Sequence, residues 1–237
     1  INLTKRPERL KKYTAEMNKL GIEFTRFNAI EGNEYVTNKY SNSIITESYK
    51  NYILSNKKFG YGGAGLSHTK LWIDILKSDS IDDIAMIYED DAILEPNFIE
   101  KLKLNVKDVP KDWDIILGGF LYQNKHWHEC NEKNIYNVKN NIYRVKRFYG
   151  PTCYIINKKK IKNILKIVLP YKWHWDIDIS RKLDLDTIKV YGIVPPLTTH
   201  PGKCYIDFCN FKKGNSLKEY HSDTETGIDY STWDTDS

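Results

Sequence analysis

The stretch "AMIYEDDAILEP", residues 85–96, decides how this chain folds and where its chemistry lies. Together with Ile84 it opens on a continuous apolar run, Ile84 to Tyr88, as expected of a central strand covered on both faces. It then sets Glu89, Asp90 and Asp91 side by side. Adjacent like charges repel, so a strand end that carries three of them calls for a cation. Hard divalent ions such as Mn²⁺ and Mg²⁺ take carboxylate oxygens. Residues i and i+2 of an extended chain share a face, which would pair Glu89 with Asp91 unless the chain turns there. A solvated loop that caps the next helix is the plainer alternative, and these residues alone leave both open.

Working outward, Ile1-Asn2-Leu3 reads as a short strand. Pro7 suits a first helical turn, and Leu10, Tyr13, Met17 and Leu20 recur at helical spacing up to Gly21. "IEFTRFNA" (22–29) alternates as a second strand. Strand, helix, strand in that order implies a parallel βαβ unit. Residues 31–58 are polar and read as a long surface excursion with one short helix. Gly60, Gly62, Gly63 and Gly65 predict a pliable turn, and Ser67 would cap a helix whose apolar face is Leu71, Trp72, Ile75 and Leu76. Further on, Pro96 starts a helix through Leu104, and 113–119 is a strand. Residues 142–150 and 152–157 are two strands joined by a turn at Gly150-Pro151. Residues 158–167 and 175–183 are helices, and 188–196 is a strand. The expected architecture is a three-layer α/β/α sandwich with a mostly parallel central sheet, with ligands at the carboxyl ends of its strands.

Composition narrows the class. The 237 residues are 41% hydrophobic and 28% charged, which suits an ordinary globular protein with a sizeable core. A net charge of +5 helps attract a phosphate-bearing ligand but is too mild and dispersed to argue for nucleic acid. Cys130, Cys153, Cys204 and Cys209 form no CxxC pair, which argues against structural zinc, and their pairing stays open. No apolar run reaches the length of a membrane span, and there is no secretory leader pattern. The start at Ile1 rather than Met is what a domain cut from a longer protein would show. From Gly214 onward acids dominate and apolar residues are sparse, so residues 1–213 are expected to form the domain and 214–237 an acidic tail, mobile or docked on a partner.

Five blocks then fall in order: "INLTKRPERL", "FNAIEG", "GAGLSHTKLW", "YEDDAILEPNF", and "WHWDIDI" followed by "PPLTTHPGK". Together they resemble glycosyltransferase family 25, the lipopolysaccharide and procollagen galactosyltransferases, over about residues 1–203. The resemblance implies a GT-A-like fold, Mn²⁺ (or Mg²⁺) as cofactor, and a UDP-sugar donor. The reaction would move a hexose, galactose favoured, with inversion to a hydroxyl of a protein (collagen-like hydroxylysine) or glycan. Alternatives are a glucosyltransferase acting on galactosyl-hydroxylysine, and a non-catalytic domain supporting a neighbour. The donor would be UDP-galactose or UDP-glucose. A lumenal or secretory location follows only if the chain is procollagen-like. The Lys-, Asn- and Ile-rich composition suits an AT-rich genome such as that of a large DNA virus or a protist.

Position by position, Asp90 and Asp91, with Glu89 beside them, match the family's acidic metal motif, which leaves open which two touch the metal. His200 resembles a late histidine that completes a metal shell, a loop histidine before a proline being its plainer role. Asn2, Leu3, Asn28 and Ala29 match the region that receives the uridine. Arg6 or Arg9 would reach the diphosphate, since guanidinium forks fit phosphate oxygens, although a solvated helix start fits either one equally. Ser67 and His68 belong to the "LSH" block, beside an expected helix N-terminus that suits an anion, although a packed, hydrogen-bonded histidine fits equally. Inversion needs a general base, and Asp176 or Asp178 would serve, with Asp176 favoured; a helix cap is the plainer role for either. Trp173 and Trp175 would stack on a sugar or serve the core. His126, Trp127 and His128 would form an acceptor-side loop.

Overall fold

The computed structural model describes residues 1–36, 39–121, 135–183 and 185–199. The elements in chain order are α1 (Pro7–Lys19), α2 (Gly32–Tyr35), a 3₁₀ turn (Lys39–Ser43), α3 (Glu47–Ser55), α4 (Phe59–Lys77), β1 (Ile84–Tyr88), β2 (Ile93–Leu94), α5 (Phe98–Val106), β3 (Ile115–Leu121), β4 (Ile135–Lys139), β5 (Ile142–Val145), β6 (Tyr149–Asn157), a 3₁₀ turn (Lys158–Lys160), α6 (Ile161–Val168), α7 (Trp175–Leu183), β7 (Val190–Ile193) and β8 (Thr198–Thr199).

The main sheet has six strands in the order β1-β6-β3-β7-β5-β4, and a two-stranded sheet pairs β2 with β8. Side chains alternate between its faces with the two-residue period of a strand. Tyr154 and Ile156 of β6, Ile115 and Leu117 of β3 and Val190 of β7 share one core with Trp72 of α4, Ile161 and Ile164 of α6 and Ile179 of α7. Cys153, Ile155, Ile116, Tyr191 and Ile193 point the other way and share a second core with Phe98 of α5. Helices thus cover both faces, and the three layers expected of the sequence are present.

The sheet is not mostly parallel. Only the β3–β7 pair is parallel, with Ile115 opposite Val190 and Leu117 opposite Gly192. The pairs β1–β6, β3–β6, β5–β7 and β4–β5 are antiparallel. The reason is an insertion. The connection through α5 does leave β1 and β3 pointing the same way, as the helix between them predicts. But β6 returns from far along the chain and lies reversed between them. Local periodicity carries no information about a partner that arrives some sixty residues later.

The opening βαβ unit shrinks in the same manner. Ile1–Leu3 and residues 27–29 do run parallel, but they meet in one bridge, Asn2 with Asn28, and join neither sheet. Backbone bonds Asn2 N–H to Phe27 O (3.0 Å) and Ala29 N–H to Asn2 O (2.9 Å) complete it.

Three further expectations change. Ile84–Tyr88 is an edge strand, not a central one, and Ile84 is exposed. Gly150-Pro151 lies inside β6, because Gly150 takes φ +44° and bends the strand without ending it. The 31–58 excursion is largely helical: Thr46 Oγ1 caps α3 by accepting from Tyr49 N–H, and α3 buries Tyr49 and Ile53.

The glycine run is no turn either. It forms the first half of α4, a helix of 19 residues. A Cβ on Gly62 would come within 2.6 Å of Val36 Cγ2, and one on Gly63 within 2.7 Å of the Ile30 carbonyl oxygen. Small residues are required there because the α2 segment crosses the helix at backbone distance, which outweighs their poor helix propensity.

Candidate functional site

The acids sit at the carboxyl end of β1, on the edge where β6 begins. Glu89 N–H extends the β1–β6 ladder by bonding Thr152 O at 3.0 Å. Ala92 N–H then bonds Glu89 O at 3.2 Å, closing a turn. That turn splits the triplet. Glu89 Oε1 faces His68 Nε2 at 3.1 Å. Asp90 Oδ2 accepts from Asn2 Nδ2 at 2.7 Å. One guanidinium nitrogen of Arg9 lies 3.5 Å from Asp90 Oδ1 and 3.1 Å from Asp91 Oδ2. The pair that shares a counter-charge is therefore Asp90 with Asp91, not Glu89 with Asp91.

Arg9 shows that one positive centre can serve both aspartates, and two neighbouring carboxylates are the oxygen donors a hard divalent ion prefers. Among the described residues, no group of three His, Cys, Asp or Glu stands in metal-holding geometry. The donor chemistry fits a cation held by Asp90 and Asp91. His200 lies outside the described residues, as do His126, Trp127, His128, Cys130, Cys204, Cys209 and the acidic tail.

Asn2 joins the acids to a cleft. Its side chain is buried, and besides Asp90 it donates to Arg6 O at 3.1 Å. The bridge to Asn28 then leads to a cleft of about 580 Å³ lined by Thr4, Lys5, Asn28, Ala29, Ile30, Glu31 and Lys70. Lys5 and Glu31 form an ion pair of 2.6 Å at this cleft. Leu3 and Arg6 shape the turn before α1, Arg6 N–H bonding Leu3 O at 2.9 Å. The expected uridine residues Asn2, Leu3, Asn28 and Ala29 are thus brought together. Arg9 is the arginine engaged by the acids.

Ser67 and His68 fall in mid-helix, so the helix N-terminus expected at Ser67 is absent. Ser67 Oγ donates to Gly63 O at 2.6 Å and accepts from Ile30 N–H at 2.8 Å, spending its hydroxyl on the α4 crossing. His68 is buried against Tyr154 and Trp175, its ring stacked on Trp175 at 4.0 Å. Burial pushes its pKa down to about 3, so the imidazole is neutral near pH 7. Its Nδ1 meets Tyr154 Oη at 2.8 Å, and Trp72 Nε1–H donates to the same Oη at 2.8 Å. Tyr154 and Trp72 were not candidates in the sequence. Only the alternation of β6, which points Tyr154 at α4, carried a hint of them.

The two late aspartates separate. Asp176 Oδ2 accepts from Gly150 N–H at 2.8 Å, and Oδ1 accepts from Ile177 N–H at 2.9 Å. Burial raises its pKa to about 6, and the negative charge of Glu89 adds to the effect. The Glu89 backbone and the Asp176 carboxylate are thus held by residues two apart on β6, Thr152 and Gly150. Asp178 Oδ2 instead accepts from Lys172 N–H at 2.5 Å and Trp173 N–H at 2.9 Å, tying down the loop before α7. Burial raises its pKa as well, opposed by those two bonds. Trp175 is buried and serves the core, whereas Trp173 is half-buried against Tyr52, with the Arg181 guanidinium 5.7 Å from its ring centre.

Residues 1–180 match the family described as glycosyltransferase family 25 (LPS biosynthesis protein). The chain belongs to glycosyltransferase family 25. The match spans the cleft, the acidic triplet and Asp176, so the site lies wholly inside the family 25 region. A glycosyltransferase of this family takes a sugar from a donor and passes it to an acceptor, and the chain is such an enzyme. No curated protein matches the chain. None of the described helices is long and apolar enough to cross a membrane.

Proposed function

We propose that this family 25 enzyme is a metal-dependent, inverting transferase that moves a hexose, galactose favoured, from a UDP-sugar to a hydroxyl of a protein or glycan. The observation that carries the reading is the placement of three unlike groups around the carboxyl end of β1. A cleft lies on one side, reached through Asn2. The Asp90–Asp91 pair lies at the centre. A buried aspartate with a raised pKa stands within reach of the charge of Glu89.

In this reading the cleft at Asn28 and Ala29 receives the nucleoside, and Lys5 and Lys70 supply positive charge for phosphate. Asp90 and Asp91 would hold Mn²⁺ (or Mg²⁺), which supplies charge neutralisation for a departing diphosphate. Arg9 leaves the two acids to contact the phosphates. Asp176 accepts the proton of the attacking hydroxyl, because a base with a pKa near 6 is ionised at neutral pH and still basic enough to take it. Asp178, whose Oδ2 anchors the loop before α7, is structural in this reading. Collagen-like hydroxylysine is the acceptor that the procollagen branch of the family suggests.

The test is UDP release from UDP-galactose and UDP-glucose, with Mn²⁺, with chelator, and in an Asp90→Ala/Asp91→Ala variant. Metal-dependent release that the variant loses supports the reading and names the sugar. Chelator-resistant release would remove the metal, and no release together with no Mn²⁺-dependent UDP binding by calorimetry would remove the donor assignment.

A further inference from the structure

We propose that His68 is a positioning residue that, through a fixed imidazole tautomer, holds Glu89 on the Asp176 side of the site and apart from Asp90 and Asp91. The hydrogen-bond chain stands on geometry alone; what Glu89 does there rests on the transferase reading.

The tautomer follows from donor counting. Trp72 Nε1–H can only donate, so Tyr154 Oη accepts from it at 2.8 Å. Tyr154 still has its own proton, and the atom within reach of it is His68 Nδ1 at 2.8 Å. A neutral imidazole that accepts at Nδ1 carries its proton on Nε2, which donates to Glu89 Oε1 at 3.1 Å. The opposite tautomer would set the lone pair of Nε2 against a carboxylate oxygen and leave the tyrosine proton without its partner. Every donor in the chain Trp72, Tyr154, His68, Glu89 is used once, in one direction.

The chain is also rigid. The His68 side chain is 2% exposed while that of Glu89 is 29% exposed, so the carboxylate is reachable from outside and its support is not. Trp175 stacks on the imidazole at 4.0 Å, and the next residue is Asp176. One histidine thereby sets Glu89 by a hydrogen bond and abuts the segment that carries Asp176. The acidic triplet is divided in function: Asp90 and Asp91 serve the cleft side through Arg9 and Asn2, and Glu89 joins Asp176 as a second acceptor that orients the attacking hydroxyl.

The test uses the full chain, ¹⁵N-labelled, with long-range ¹H–¹⁵N correlation of the imidazoles at pH 7. The six histidines are few enough that the His68 signal is identified as the one lost in His68→Gln. A neutral ring protonated at Nε2 is expected, with its signal shifted in Glu89→Gln and the ring converted to mixed tautomers in Tyr154→Phe. A ring protonated at Nδ1, or an imidazolium, overturns the proposal. In turnover, His68→Leu is expected to lower kcat about 10- to 100-fold with donor KM held, the loss of a hydrogen bond to a charged group. His68→Gln, which keeps an N–H donor within reach of Glu89, restores most of the loss. Equal losses in the two variants, or full kcat in folded His68→Leu, overturn it. Where His68→Leu does not fold, Tyr154→Phe takes its place with the same expectation. A wild type that releases no UDP from any donor sinks the UDP-sugar reading and leaves the tautomer measurement to decide this one.

Discussion

Gly150 donates its backbone N–H to Asp176 Oδ2 at 2.8 Å, fastening a buried aspartate to the start of β6, two residues from the carbonyl that holds the Glu89 backbone. The contact holds this carboxyl beside Glu89. Although the hydrogen bond itself favours the charged form, burial outweighs it and raises the pKa to about 6, so on the proposed reading activity and stability should respond to pH with opposite signs.

For activity, the proposed base Asp176 would have to be ionised, so kcat/KM should fall as pH drops below about 6 and level off above it. Asp176→Asn should cost about 100-fold or more in kcat, the usual scale for a lost general base, and abolish that pH limb. For stability, the folded pKa lies above the ordinary aspartate value of 3.8, so protonation favours the fold. That contribution is fully present below pH 3.8 and is lost as pH rises through about 6. Its size is on the order of 3 kcal/mol. Urea midpoints across that range should show the slope in the wild type and a shallower one in Asp176→Asn.

Asp178 should behave differently. Asp178→Ala leaves the N–H groups of Lys172 and Trp173 without their acceptor, so stability should drop by about 1–3 kcal/mol per the cost of buried unpaired groups. Turnover per folded molecule should stay near that of the wild type. A kcat loss as deep as that of Asp176→Asn would transfer the base to Asp178.

Arg9 balances Asp90 and Asp91 when no other cation is present. Arg9→Met should therefore destabilise the chelated protein by about 1–3 kcal/mol, because it leaves a partly buried charge pair unbalanced. Mn²⁺ should restore the melting temperature of this variant more than it raises that of the wild type. Differential scanning calorimetry with and without Mn²⁺ reads the difference directly, and equal shifts in both proteins would separate Arg9 from the cation.

Gly63→Ala tests the α2–α4 crossing. The new methyl would stand 2.7 Å from the Ile30 carbonyl oxygen and 3.0 Å from Gly32 N, both backbone atoms that no rotamer change can clear. The expected loss is about 1–3 kcal/mol, the range for overpacking, despite the better helix propensity of alanine. Since Ile30 lines the cleft, donor KM should rise as well.

Much of this molecule was legible in the order of its residues. Periodicity located α1, α7 and β3 within a few residues, and "YEDD" marked the candidate site, because a strand run and an acid cluster are local patterns. The family resemblance rests on the same kind of short block and holds over residues 1–180. What local order could not state is which strand arrives between which. β6 lies between β1 and β3, turning an expected parallel sheet into a mostly antiparallel one and β1 into an edge. The glycines of α4 likewise read as a turn until the α2 segment, crossing at backbone distance, showed why a helix needs them. The partition of the acids was also out of reach. Asp90 and Asp91 meet Arg9, Glu89 meets His68, and Asp176 rather than Asp178 hangs beside them, because a turn after Glu89 and contacts from α1, α4 and β6 aim each carboxylate. The sequence by itself determined the family and nominated the acids of the candidate site, since residue type sets chemistry. The tertiary structure alone decided which of them touch, since contacts between residues as many as 88 positions apart depend on how the chain is assembled.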